Sequence, residues 1–85
     1  MEDVEIKAWI LYKLKRKGCW GKGHLSDDNL AKGQSRELKK RILRIADELV
    51  TEGYLVKFPH GKEKHYYLNK EFREEINNLI DEYTP

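Results

Sequence analysis

The sequence predicts a mostly helical α+β domain, and three observations carry that expectation. Apolar residues recur at helical spacing in several segments. Residues 35–69 read as a long basic helix stopped by Gly53, followed by two alternating strands around a Pro59-His60-Gly61 turn. Ser26, Ser35 and Asn69 precede helical segments as caps, and Gly18, Gly33 and Gly53 follow them as stops.

The first helix is expected over Val4 to Lys17. Ile6, Trp9, Ile10 and Leu14 share one face, and Ala8, Leu11 and Tyr12 widen it, so this helix is central. Acids at its start and Lys15, Arg16 and Lys17 at its end suit the helix dipole. A glycine-containing connection follows, with a short strand expected around Lys22–Leu25. Ser26 then caps a brief helix ending at Gly33. Asp27 and Asp28 fill its first turn, and Leu25 and Leu30 take the positions of a hydrophobic staple. Two helices separated by a few residues that include glycine form a helix-turn-helix pattern.

The third helix, 35–52, has a core stripe of Leu38, Ile42, Ile45, Ala46 and Leu49, within an arc of about 80–100°. Arg36, Lys40, Leu43, Arg44 and Asp47 occupy the opposite face, with Lys39 and Arg41 flanking the stripe. Bases crowd the first half and acids the second, against the helix dipole, which hints at a function for the basic half. In the hairpin, Tyr54, Val56 and Phe58 share a face, as do Tyr66 and Leu68. The tip region holds Lys57, His60, Lys62, Lys64 and His65. Asn69 caps a last helix carrying Phe72, Ile76, Leu79, Ile80 and Tyr83 as its apolar stripe.

At 85 residues, 39% hydrophobic and 38% charged, the chain fits one small domain with a thin core. Residues 4–69 form its body and 70–84 a C-terminal helix. The longest apolar run, Ala8 to Tyr12, is far too short for a membrane span. The acidic start does not resemble a signal peptide, and the one cysteine, Cys19, suits a reducing compartment, so a cytoplasmic location is expected. Abundant Lys and Glu with a single Gln lean toward a thermophile.

The net charge of +2 is unevenly spread. Residues 1–6 carry −3, residues 7–64 carry +8 and residues 65–85 carry −3. A basic helix joined to a basic hairpin suits a nucleic-acid duplex, held by groove and backbone together.

The order helix, short strand, helix, turn, helix and two-stranded wing resembles the winged helix-turn-helix family, and more loosely its small archaeal members. The resemblance spans roughly Val4 to Asn69. It rests on Glu48-Leu-Val-Thr-Glu-Gly-Tyr-Leu-Val56, which enters the wing, and Lys64-His-Tyr-Tyr-Leu-Asn69, which leaves it. The family includes transcription regulators, RNA binders and protein-interaction modules. Its DNA-binding mode implies the third helix in the major groove, with Arg36, Lys40 and Arg44 toward DNA and Lys39 nearby. It implies a wing resting on the phosphate backbone or in the minor groove through Lys57, Lys62 and Lys64. Glu37, Asp27 and Asp28 run against that mode by repelling phosphate. The expectation is a small DNA-binding transcription regulator, without catalytic activity, cofactor or metal. Structured RNA, with Trp20 and Tyr67 as stacking aromatics, and a protein partner are the alternatives.

Other constellations are weaker. Cys19, His24, His60 and His65 are zinc-type ligands, but their spacing is loose and their convergence is not expected. Cys19 has no oxyanion-hole pattern beside it, as a nucleophile would need. Trp20 reads as a lid over the core or as a base-stacking residue. The stripe Phe72, Ile76, Leu79, Ile80 and Tyr83 packs either on the first helix or on a second copy in a homodimer.

Overall fold

The computed structural model describes residues 2–83. The elements are α1 (Asp3–Arg16), β1 (Leu25–Ser26), α2 (Asp27–Leu30), α3 (Arg36–Thr51), β2 (Leu55–His60), β3 (Glu63–Leu68), a 3-10 turn (Lys70–Phe72) and α4 (Arg73–Tyr83). The strands form one antiparallel sheet in the order β1-β3-β2. No helix is long and apolar enough to cross a membrane among the described residues.

The predicted caps form. Ser26 Oγ accepts from Asn29 N at 3.1 Å and Ser35 Oγ from Leu38 N at 3.2 Å, satisfying amides that open a helix. Asn69 Oδ1 accepts from Glu71 N at 3.1 Å, but the turn it caps is 3-10, and the α-helix begins only at Arg73. The expected extension of that helix to residue 84 lies outside the described residues. α2 is one turn long rather than reaching Gly33. Lys13 closes it, its ammonium donating to the carbonyls of Asn29 at 2.8 Å and Leu30 at 3.0 Å.

Two strand expectations shift. The first strand is Leu25–Ser26, starting three residues later and ending one later than the expected Lys22–Leu25, because it forms only where it meets Tyr66 and His65. The wing turn is not Pro59-His60-Gly61. β2 runs through Pro59 and His60, and His60 pairs with Glu63 across a Gly61-Lys62 loop. Gly61 has φ +66°, the positive value a two-residue type II′ turn needs at its first central position. Pro59 sits opposite Lys64, one rung from the Phe58–His65 pair, on the edge strand. There its missing N–H faces away from the partner strand and costs no ladder bond.

The core is built from one face of each element. Ile6, Ile10, Leu11 and Leu14 of α1 meet Ile42, Ile45, Ala46 and Leu49 of α3, with Leu55, Tyr66 and Leu68 from the sheet. α4 packs on α1, and Ile76 and Ile80 are buried in this same core. That corrects the homodimer stripe. Ile76 and Ile80 cannot meet a second copy without opening the core, and Phe72 and Leu79 pack against its rim. Tyr83 remains 40% exposed.

Trp20 is partly buried against the core, with the Arg73 guanidinium 4.8 Å from its ring centroid. Its loop is tied down by Leu68 N donating to Cys19 O at 2.8 Å. Of the two readings, the lid is the one the packing bears out. Cys19 is 2% exposed, and burial pushes its thiol above the ordinary range, although Lys17 pulls the other way. A buried neutral thiol is a poor nucleophile.

Candidate nucleic-acid interface

At about 100° per residue, α3 presents three faces. Ile42, Ile45, Ala46 and Leu49 point into the core. Arg41, Arg44 and Glu48 face the start of α1, where Asp3 waits. Arg36, Lys40 and Asp47 lie along the outward line, with Lys39 on the flank.

The α1-facing bases are neutralised within the chain. Arg41 Nη2 lies 2.7 Å from Asp3 Oδ1, and Arg44 reaches Asp3 at 3.5 Å and Glu48 at 3.1 Å. The hydrogen bond from Arg41, with lesser help from Arg44, holds the Asp3 carboxyl below its ordinary range. Arg44 is therefore not the free groove-facing cation expected of it. The acidic N-terminus, distant in sequence, comes to rest beside it.

Lys57 is corrected in the same way. Its ammonium donates to Asp47 Oδ1 at 2.8 Å and lies 5.6 Å from the Tyr66 ring centroid. The bond to Asp47, above all, raises its pKa. Because Leu55 of β2 packs into the core, Lys57, two residues on, leans toward α3 rather than outward.

Arg36, Lys39, Lys40, Lys62 and Lys64 are exposed. Among the described residues, none of these five cations pairs with a carboxylate. Three lie in the first two turns of α3 and two at the wing tip. The Lys57–Asp47 bond seats the wing on the same outward line that carries Arg36 and Lys40. Acids border this surface: carboxylate oxygens of Asp27, Asp28 and Glu63 come within 4.8 Å of one another where the wing tip passes the start of α2. Glu63 thus joins Asp27 and Asp28 in one acidic patch beside the wing tip.

The structure also assembles a group the sequence did not lead us to expect. His24, His60 and His65 surround Phe58 on the sheet face opposite the core. Their ring centroids are 4.9, 4.8 and 4.7 Å apart, and His24 Nδ1 lies 2.8 Å from His65 Nδ1. Desolvation, then His65 and His60, push the His24 imidazole below its ordinary pKa. Cys19 takes no part, being in the core. The missed signal was the wing register. With a Gly61-Lys62 loop, Phe58 faces His65, and His60 stands two residues from Phe58 on the same face.

No family model matches the chain, and no curated protein matches it. A solved structure, reported for the DNA recognition and protein interaction domains of HOP2 and for its homologous DNA pairing properties, is similar to it. The TM-score is 0.59 at 20% identity, over 75% of this chain and 98% of that one. This likeness, with the helix order and the hairpin, establishes the winged-helix fold.

Proposed function

We infer that the protein binds double-stranded DNA, with the first turns of α3 in the major groove and the wing tip on the backbone. One observation carries this reading. Of the bases on α3 and the wing, those that make no ion pair among the described residues, Arg36, Lys39, Lys40, Lys62 and Lys64, are the ones on the exposed start of α3 and on the wing tip. Bases elsewhere on α3 and the wing are paired to acids of the chain. Unpaired ammonium and guanidinium groups release phosphate counterions on binding, which supplies most of the affinity for a duplex. The HOP2 structure, similar in fold, is reported for DNA recognition and protein interaction domains, and its DNA recognition supports the same reading. In finer detail, we infer a small transcription regulator in which Arg36 or Lys40 reads base edges. Trp20, partly buried against the core with Arg73 over its ring, offers less of that ring to an unpaired base, which favours duplex DNA over structured RNA.

The experiment is fluorescence anisotropy of a labelled DNA duplex and an RNA hairpin across a series of salt concentrations. The expected result is duplex binding whose logarithm falls with log salt at a slope near −4 to −5, about −0.9 for each cation engaged. Preference for the hairpin would transfer the site to RNA. Binding to neither at low salt would overturn the reading and point to a protein partner.

A further inference from the structure

We propose that His24, His60 and His65 form a binding site for a divalent transition-metal ion of the zinc class, joining the segment before β1 to the tip of the wing. The arrangement of the rings carries this. Three imidazoles on one ion, each with a nitrogen about 2.0–2.1 Å from the metal, place their ring centroids roughly 5 Å apart. The three histidines form a nearly equilateral triangle with sides of 4.9, 4.8 and 4.7 Å. They come from three places in the chain, yet all lie on one sheet face. Ser26 pairs with His65, which sets His24 on the side of His65, and Phe58 pairs with His65, which sets His60 there too.

Two adjustments complete the ligand set. Nδ1 of His24 and Nδ1 of His65, 2.8 Å apart, share one hydrogen, so at least one ring is already a neutral acceptor. On a tetrahedral ion these nitrogens stand about 3.3 Å apart, an opening of roughly half an ångström. On metal binding the shared hydrogen leaves Nδ1 of the donor ring, passing to its Nε2 where that nitrogen is bare and to solvent where it already carries a hydrogen. The nitrogens of the third ring do not yet converge with this pair. Among the described residues only Asp27, Asp28 and Glu63 bring three ligand atoms within 4.8 Å of one another. His60 is exposed at the end of an edge strand, so rotation about its side-chain bonds is free to bring a nitrogen round.

The ligand chemistry separates the two groups. Neutral imidazoles suit zinc, copper and nickel, whereas carboxylates suit magnesium and calcium. Phe58, edge-on to His24 at 5.1 Å, shields one side of the triangle and leaves the fourth position to water. A metal here would clamp the wing that carries Lys62 and Lys64. The proposal stands apart from DNA binding, because the metal is read directly.

The test titrates the metal-free protein with Zn²⁺ alone, read by calorimetry and native mass spectrometry, with Mg²⁺ in parallel. One Zn²⁺ per chain is expected, with no Mg²⁺ at the same site. His60→Gln, at an exposed position, leaves the fold intact by circular dichroism. It should weaken Zn²⁺ binding by more than the roughly 10–100-fold that loss of an outer-shell partner costs. His24→Gln should do the same, and Asp28→Asn should change nothing. Histidine nitrogen NMR shifts on adding Zn²⁺ report coordination without any variant. Absence of Zn²⁺ binding, or binding lost in Asp28→Asn and kept in both histidine variants, overturns the proposal.

Discussion

Lys57 on the wing donates a 2.8 Å hydrogen bond to Asp47 on α3, and this one link seats the wing while cancelling a charge on the outward face of the helix. A cation that the hairpin pattern offers to DNA is thereby turned into an internal strut. The Lys7–Glu52 and Arg41–Asp3 pairs do the same for α1 against α3. Charge count along the chain therefore overstates what a duplex can reach.

Lys57→Met is expected to leave the salt dependence of duplex binding unchanged and to lower stability by about 0.2–1 kcal/mol, as for a surface ion pair. Lys62→Ala should flatten the salt slope by about 0.9 with no loss of stability. Anisotropy titrations and urea melts on the two variants check this. An equal loss of slope in both would place Lys57 on phosphate.

On α3 the expected contrast is between the free and the paired bases. Arg36→Ala and Lys40→Ala should each weaken duplex binding by about 1–3 kcal/mol if they reach base edges, with Arg36→Ala also relaxing sequence preference. Arg44→Ala, already held by Asp3 and Glu48, should weaken it little. Competition binding against a randomised duplex pool reads both effects.

The acids beside the wing tip make the opposite prediction. Asp28→Asn together with Glu63→Gln removes two negative charges next to Lys62 and Lys64. Duplex affinity should rise, most clearly at low salt, where exposed charges are least screened. An unchanged affinity at 50 mM salt or below, about a 14 Å screening length, would place the wing tip away from the backbone.

Gly53 is required twice over. Its φ is +94°, and a Cβ built there would stand 3.0 Å from two ring atoms of Phe72. Gly53→Ala should cost more than about 1 kcal/mol, because it combines left-handed strain with a ring displacement. Adding Phe72→Leu should recover the part due to crowding and none of the part due to φ. Thermal melts of the single and double variants separate the two.

Stability should also depend on pH through His24. Its folded pKa lies below the ordinary 6.5, so between the two values the unfolded chain binds more protons than the folded one. The contribution is complete above about pH 6.5 and is lost as pH falls through the folded pKa. His60 and His65 face the same ring, and their charges act in the same direction. Melting temperatures in metal-free buffer should fall between pH 7.5 and 5, and His24→Gln should flatten that fall.

The helices were largely legible because their signals are local. Ser26 and Ser35 cap where a serine before an apolar period should, and the stripe from Leu38 to Leu49 lies against the core as its spacing requires. The wing was legible as a hairpin but not in register. Pro59 looks like a turn residue, yet an edge strand tolerates it, and Gly61 with its positive φ makes the turn instead. That shift of register moves His60 out of the loop and onto the face of His24 and His65.

The sequence by itself determined the helix faces, the caps, the hairpin and the concentration of bases in the middle of the chain. These follow from periodicity and from hydrogen bonds spanning a few residues. Only the tertiary structure decided which bases remain free, whether the last helix packs inward and which histidines meet. Asp3 reaches Arg41 and Arg44 across some forty positions, Ile76 and Ile80 fill a core opened by α1, and His24 meets His65 through β1–β3 pairing. Each of these depends on distances between residues far apart in the chain, which packing sets and local pattern does not carry.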